Sequence, residues 1–219
     1  MSFFRKISRG GLILAAIGIF LLVVSVPDVL ISFKEAKSFE DAMMGDVEIA
    51  AGDHMEGQVP MLLDYFAEEQ TRTENKSTNS VTPWKTSRRY YVMPCGDRLV
   101  GLSVGSSSIS VANDLVDQTY GAFSGGAAPT AELIMDCRVT EMDEELAEMF
   151  REELRDYYEF TDQEIEDMGP MLLVEGRAFT TIRIFCGAGA GFTVLGLLLL
   201  VLRWRKVSAV ERQQRQEAL

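Results

Sequence analysis

The sequence contains little of the side-chain chemistry that metal centres and redox enzymes use. It has one histidine, His54, and three cysteines, Cys95, Cys137 and Cys186, with no CxxC pair among them. A structural zinc site needs four cysteine or histidine ligands, and a dithiol redox centre needs paired cysteines. We therefore expect no cofactor and no metal centre, and a lone histidine is usually a surface residue.

Basic residues are scarce in the middle of the chain. Residues 32–180 hold 30 acidic and 12 basic residues, a net charge of −18, whereas all 219 residues together carry −12. Nucleic-acid binding requires lysines and arginines that neutralise phosphates, so this composition excludes it. The acidic runs at 143–145 and 164–167 lack the DxDxDG pattern of calcium loops and are typical of solvated helix faces.

Two long apolar runs contain no charge. Leu12–Val26 and Ile184–Leu202 each hold 11 residues of the Leu, Ile, Val or Phe type. At roughly 0.3 to 0.6 kcal/mol for each such residue, insertion of one run into a bilayer is favoured by about 3 to 7 kcal/mol. About 20 helical residues match a hydrocarbon core of about 30 Å. We predict two transmembrane helices in a lipid bilayer.

Basic residues beside the two runs predict the orientation, because cytoplasmic flanks are enriched in lysine and arginine. The flanking basic residues are Arg5, Lys6, Arg9, Arg203, Arg205 and Lys206. We expect a multi-pass plasma-membrane protein with both termini in the cytoplasm. The predicted parts are a cytoplasmic N-terminus (1–9), transmembrane helix 1 (10–31), an extracytoplasmic acidic domain (32–180), transmembrane helix 2 (181–203) and a cytoplasmic tail (204–219).

A cleaved signal peptide is the alternative interpretation of the first run, since a basic start and an apolar stretch also precede cleavage sites. The sequence at 34–37, KEAK, is a poor cleavage site. A cleaved chain would still be anchored by the second run.

Small residues in both runs predict that the two helices pack closely, within one chain or between two copies. Gly187 and Gly191 form a GxxxG pair, and Gly11, Ala15 and Gly18 share one face of the first helix. Small side chains let helix backbones approach each other.

The acidic segment reads as alternating strands and helices. A helix is predicted from Pro60, and a hairpin is predicted from strands at 89–93 and 99–104 around Pro94–Asp97. Further predictions are a helix at 109–120, a strand at 132–139, a helix capped by Thr140, a capping box at Thr161 and Glu164, and a strand at 171–174. This order predicts a membrane-anchored α/β (α+β) fold, in which a two-helix transmembrane hairpin carries an extracytoplasmic mixed sheet-and-helix domain.

Two patterns suggest chemistry. Cys95 and Cys137 both fall outside the apolar runs and could form a disulfide, if their Cα atoms lie within about 7 Å. Gly101–Gly105 reads GLSVG, which matches the GxSxG nucleophile elbow of serine hydrolases around Ser103. That fold places its histidine after the serine, but His54 precedes it, and a strand end followed by a loop is the simpler interpretation.

Three short segments are distinctive, namely GDHMEGQV at 52–59, RRYYVMP at 88–94 and LLVEGR at 172–177. Together with the order of the two spans, they resemble a family of uncharacterised bacterial two-span membrane proteins that is defined only as a domain of unknown function. The resemblance implies a bacterial plasma membrane and an unassigned role, and it supplies no catalytic residues.

The sequence shows no complete catalytic constellation. We therefore expect a non-enzymatic binding, sensing or scaffold domain that meets another membrane or envelope protein, or a second copy of this chain. The alternative is a membrane-anchored extracytoplasmic hydrolase that uses Ser103.

Overall fold

The computed structural model describes residues 9–72, 74–75 and 80–217. The chain forms two compact units, one made of its two ends, up to Phe33 and from Ala178, and the other of Lys34–Arg177. The elements in chain order are α1 (Arg9–Ser32), β1 (Lys37–Ser38), α2 (Phe39–Met44), β2 (His54–Gln58), β3 (Tyr65–Thr71), β4 (Glu74–Asn75), β5 (Ser80–Val81), β6 (Lys85–Cys95), β7 (Arg98–Gly105), α3 (Ile109–Phe123), β8 (Ile134–Glu141), α4 (Glu144–Asp156), α5 (Asp162–Asp167), β9 (Leu172–Gly176) and α6 (Phe179–Glu217).

The helical unit consists of α1 and α6, which pack side by side in opposite directions. Gly11 of α1 meets Gly196 of α6, and Gly18 meets Gly189 about two turns further along. Near the other end of α1, Arg183 donates hydrogen bonds to the hydroxyl (2.9 Å) and the carbonyl oxygen (2.6 Å) of Ser32. These contacts align the two helices along their length.

The second unit, 34–177, is built on a mixed seven-stranded sheet with strand order β1-β2-β8-β9-β7-β6-β3. The pairs β1–β2 and β7–β9 are parallel, and the remaining pairs are antiparallel. The predicted hairpin is confirmed, since β6 and β7 turn at Gly96 and Asp97, where Gly96 adopts a φ of 60°. The α+β class predicted for this segment is therefore confirmed.

The β6–β7 hairpin is covered on both of its faces. Tyr91 and Leu102 belong to the larger hydrophobic core, which also contains Ala112 and Leu115 of α3. Val92, next to Tyr91 in the chain, belongs to a second core formed with α4 and α5. Successive side chains of a strand point to opposite faces, so the hairpin strands are buried on both sides by helices.

Two predicted helix starts are wrong, and one is confirmed. Thr140 lies within β8, and the N-cap of α4 is Asp143, whose carboxylate accepts the Leu146 N–H at 2.9 Å. No helix begins at Pro60 in this described segment, which instead leads into strand β3. Thr161 and Glu164 form the predicted capping box at the start of α5.

Candidate functional site

Four polar side chains form one row across the sheet. The strand register places His54 beside Arg138, Arg138 beside Glu175, and Glu175 beside Ser103. The residues next to them in each strand belong to the core on the α3 side, so the row projects from the opposite face. We call these four residues the polar row.

Glu175 is the electrostatic centre of the polar row. Its carboxylate lies 3.1 Å from Arg138, 2.7 Å from Arg177 and 3.3 Å from Arg88, and its side chain is only 15% exposed. Charge-assisted hydrogen bonds of this kind are about twice as strong as neutral ones. The Glu175 carboxylate therefore connects strands β6, β8 and β9. It also holds Arg177, the last residue of the unit.

His54 is buried and holds two chain segments together. Its Nε2 lies 2.8 Å from the Asp136 carboxylate, and its Nδ1 lies 3.3 Å from the carbonyl oxygen of Lys34. Both partners offer acceptor oxygens, so a neutral ring can donate to one and an imidazolium to both. The histidine is thus a buried structural residue, unlike the surface residue that the sequence predicts.

Ser103 lacks the surroundings of a serine nucleophile. It is 3% exposed and lies within β7, paired with Tyr90 on one side and Glu175 on the other. His54 occupies the same row three strands away, which at about 4.8 Å per strand is about 14 Å. A general base must lie within about 3 Å of the proton that it removes, so these two residues cannot act together.

Cys95 and Cys137 are free, buried thiols, and the disulfide that the sequence allows is not formed. Cys137 lies on β8 and Cys95 on β6, with β9 and β7 between them. Three strand spacings amount to about 14 Å, which is twice the Cα separation that a disulfide spans. Burial raises the pKa of both thiols, so neither is an activated nucleophile.

The predicted helix-packing residues divide into two sets. Gly11, Ala15 and Gly18 are buried in α1, at its contact with α6. Gly187 and Gly191, by contrast, have no atom of another element within 4 Å of a built Cβ, so the predicted GxxxG pair is not this contact. Gly189 and Gly196 take its place, seven residues apart on the face of α6 that meets α1.

The predicted flanking basic residues are only partly described. Arg5 and Lys6 lie outside the described residues. Arg9 is the first residue of α1, and Arg203, Arg205 and Lys206 lie within α6, which continues to Glu217. Both helices are long and apolar enough to cross a membrane, over Arg9–Ser32 and Phe179–Val210.

A cavity of about 680 Å³ lies at the β6–β7 turn, at the opposite end of the sheet from Arg177. Gly45 and Gly96 both line it and approach each other closely, since a Cβ on Gly45 would lie 3.4 Å from the Gly96 Cα. The charged groups that line it are Glu48, Asp97, Arg98 and Asp167. Its volume is in the range of small-molecule pockets. Among the described residues, no group of three or more His, Cys, Asp or Glu side chains could hold a metal ion.

Comparison with known families gives one match. A family model described as a domain of unknown function (DUF8577) matches residues 1–202, which include α1, the whole sheet and α6 as far as Leu202. No curated protein and no solved structure matches the chain.

Proposed function

The chain belongs to the DUF8577 family, and on this premise we propose that it is an integral membrane protein that presents an extracytoplasmic binding or scaffold domain to other membrane or envelope proteins. The two helices anchor the chain in a plasma membrane, and both termini lie in the cytoplasm. The acidic unit 34–177 makes the functional contacts.

The exposed apolar surface of the helical unit carries this proposal. Only 17% and 11% of the most apolar stretches of the two helices are buried, and Phe20, Val23 and Ile184 are each about two-thirds exposed. A core helix of a water-soluble protein would bury such side chains, each of which gains about 1.5 to 3 kcal/mol from leaving water. Hydrocarbon is the solvent that suits this surface.

Charge supports the orientation. A hairpin of two spans returns the chain to its starting side, so both ends share one compartment. Arg203, Arg205 and Lys206 follow the second apolar run, whereas the segment between the runs is strongly acidic. Basic flanks stay in the cytoplasm, which leaves the acidic unit outside.

The geometry of the acidic unit favours binding over catalysis. Ser103 is buried far from His54, the two outer thiols are buried, and Glu175 is engaged with three arginines. These groups maintain the sheet. The cavity at the β6–β7 turn is a surface that remains open for binding.

The membrane topology can be tested with single cysteines in the full-length chain. Ser124→Cys lies in the exposed loop after α3, and Ala209→Cys lies beyond the second apolar run. In intact cells, an impermeant maleimide should label Ser124→Cys and should reach Ala209→Cys only after permeabilisation. The reverse pattern, or release of the chain by alkaline carbonate, would overturn the anchored orientation.

Partner binding requires a second experiment. The full-length chain is cross-linked in intact membranes, extracted in mild detergent and captured, with an unrelated two-span protein as the control bait. We expect a defined partner or a self-association product that the control does not retain. If only background proteins appear under several growth conditions, the binding role is wrong.

A further inference from the structure

The second long helix continues past the end of its apolar run. α6 extends from Leu202, the last residue of that run, to Glu217, which at 1.5 Å per residue is about 22 Å of further helix. Residues 203–217 hold five basic and two acidic residues, whereas residues 32–180 carry a net charge of −18. Because the helix is unbroken, side chains of the apolar run and of the basic extension share the same helix faces.

One helix face at this junction carries a groove of about 420 Å³. Its residues recur at spacings of three and four, which places them in one stripe along the helix. They are Leu200, Val201, Trp204, Arg205, Ser208 and Arg212. We call this stripe the junction groove. It passes from two aliphatic residues of the apolar run, over an indole ring, to two arginines.

Trp204 marks the level at which the groove leaves the hydrocarbon. Its side chain is 55% exposed, and tryptophan is enriched where lipid headgroups meet the acyl chains. Val201, which is 50% exposed, lies one turn toward the membrane and suits contact with an acyl chain. Arg205 follows Trp204 directly and suits contact with a headgroup.

The two arginines of the groove are exposed, and among the described residues neither forms an ion pair. Arg205 and Arg212 lie two turns apart, about 10 Å along the helix axis. Helical side chains lean toward the helix N-terminus, which for this part of α6 is the direction of the membrane, so Arg212 extends back toward Arg205. Ser208 lies between them and adds a hydroxyl donor. Guanidinium groups match the oxygens of a phosphate in geometry and charge.

We infer that the junction groove binds an anionic phospholipid of the cytoplasmic leaflet. The lipid phosphate lies between Arg205 and Arg212, and an acyl chain follows Val201 and Leu200. A soluble phosphate compound would fill only the arginine end and would leave the indole and the aliphatic residues uncovered. The inference rests on the proposed membrane anchoring and adds a class of lipid that the chain selects.

The test measures which lipid lies beside Trp204 in the full-length chain. Trp84→Phe removes the only other tryptophan, so that Trp204 alone emits. This variant is reconstituted in phosphatidylcholine vesicles that contain either phosphatidylglycerol or phosphatidylcholine brominated near the headgroup end of its acyl chains. Bromine quenches tryptophan at contact, so we expect brominated phosphatidylglycerol to quench more strongly at equal mole fraction. The ratio of the two quenching curves gives the preference for the anionic lipid.

A matched pair of variants separates the groove from general attraction to basic residues. Arg205→Gln should lower the preference about fivefold, the factor that one arginine contributes beside an anionic surface. Arg203→Gln removes the same charge two residues away, but at 100° per residue it lies on nearly the opposite side of the helix. It should leave the preference within about twofold.

Four results would overturn the inference. Equal losses in Arg203→Gln and Arg205→Gln would show attraction without a site, and equal quenching by the two lipids would show no selection. Quenching by neither lipid would show that protein, such as a second copy of the chain, covers the groove. Displacement of the lipid by soluble glycerol phosphate would show that the acyl chain does not contribute. All four leave the membrane anchoring intact, whereas release of the chain by alkaline carbonate would overturn the anchoring itself.

Discussion

Gly18 and Gly189 bring the backbones of the two long helices into direct contact. A Cβ built on Gly189 would lie 3.0 Å from the Gly18 carbonyl oxygen and 3.2 Å from the Leu22 nitrogen. Gly189→Leu should therefore separate the helices and lower the thermal midpoint of the full-length protein in detergent, by an amount equivalent to about 1 to 3 kcal/mol.

Gly191 provides the matched control for that substitution. It lies two residues away on the same helix, but its built Cβ meets nothing within 4 Å. Gly191→Leu should leave the midpoint nearly unchanged. Greater damage from Gly191→Leu than from Gly189→Leu would show that the GxxxG face is the packed face after all.

The lowered pKa of Asp53 predicts that the protein loses stability in acid. Burial opposes ionisation of this carboxyl, but hydrogen bonds from Lys37 (2.6 Å) and the Ala50 N–H (2.8 Å) hold its pKa below the ordinary value. A lowered folded pKa stabilises the protein above the unfolded value of about 4, and the contribution disappears as the pH falls through the folded pKa.

Asp53→Asn should therefore cost about 1 kcal/mol at pH 7, and the difference from wild type should vanish in acid below the folded pKa of Asp53. Thermal unfolding at several pH values measures it, and Asp46→Asn, an exposed carboxylate in the same segment, is the control. A constant difference at every pH would contradict the ion-pair explanation.

Glu175 should be more costly to neutralise than a surface glutamate. Glu175→Gln removes the charge shared by Arg88, Arg138 and Arg177, and we expect a loss of about 1 to 3 kcal/mol in the free energy of unfolding. Glu148→Gln is the comparison, because Glu148 pairs with Arg151 with its side chain 55% exposed, where ion pairs contribute little. Equal losses in the two variants would show that the arginines do not depend on Glu175.

Cys95 and Cys137 should both be found as free thiols, with no disulfide between them. In the folded protein they should resist maleimide, because burial raises their pKa values and limits access. After denaturation without reductant, mass spectrometry should find both labelled. A chain whose two thiols become available only after reduction would contradict the strand order.

Local signals in the sequence were sufficient for several elements. The β6–β7 hairpin follows from Gly96 and Asp97 between two β-rich runs, and the capping box at Thr161 and Glu164 specifies its own helix start. The apolar runs likewise give the two long helices. In each case the determining residues are close together in the chain.

Long-range pairing explains what the sequence could not give. Thr140 has capping chemistry, but its pairing with Leu173 of the adjacent strand β9 keeps it in β8. The segment after Pro60 has a helical pattern, yet the Leu63 N–H bonds to the Val92 carbonyl and the chain continues into a strand. In LLVEGR the polar residues Glu175 and Arg177 alternate with Gly176, which indicates one polar face on this strand. The position of Glu175 beside Arg138 and Ser103 depends on strand register, which no local pattern encodes.

The bonds made by His54 have a consequence for handling this protein. Lys34 begins the acidic unit and Arg177 ends it, and both contact the hydrogen-bonded pair His54–Asp136. The Lys34 carbonyl oxygen lies 3.3 Å from His54 Nδ1, and the Arg177 N–H donates to the Asp136 carbonyl oxygen at 2.7 Å. A domain whose two ends lie close together tolerates circular permutation and insertion into another protein. We therefore expect residues 34–177 to fold when they are expressed as a separate fragment. A short linker should suffice to cyclise this fragment, and the same unit should tolerate insertion between the helices of another helical hairpin.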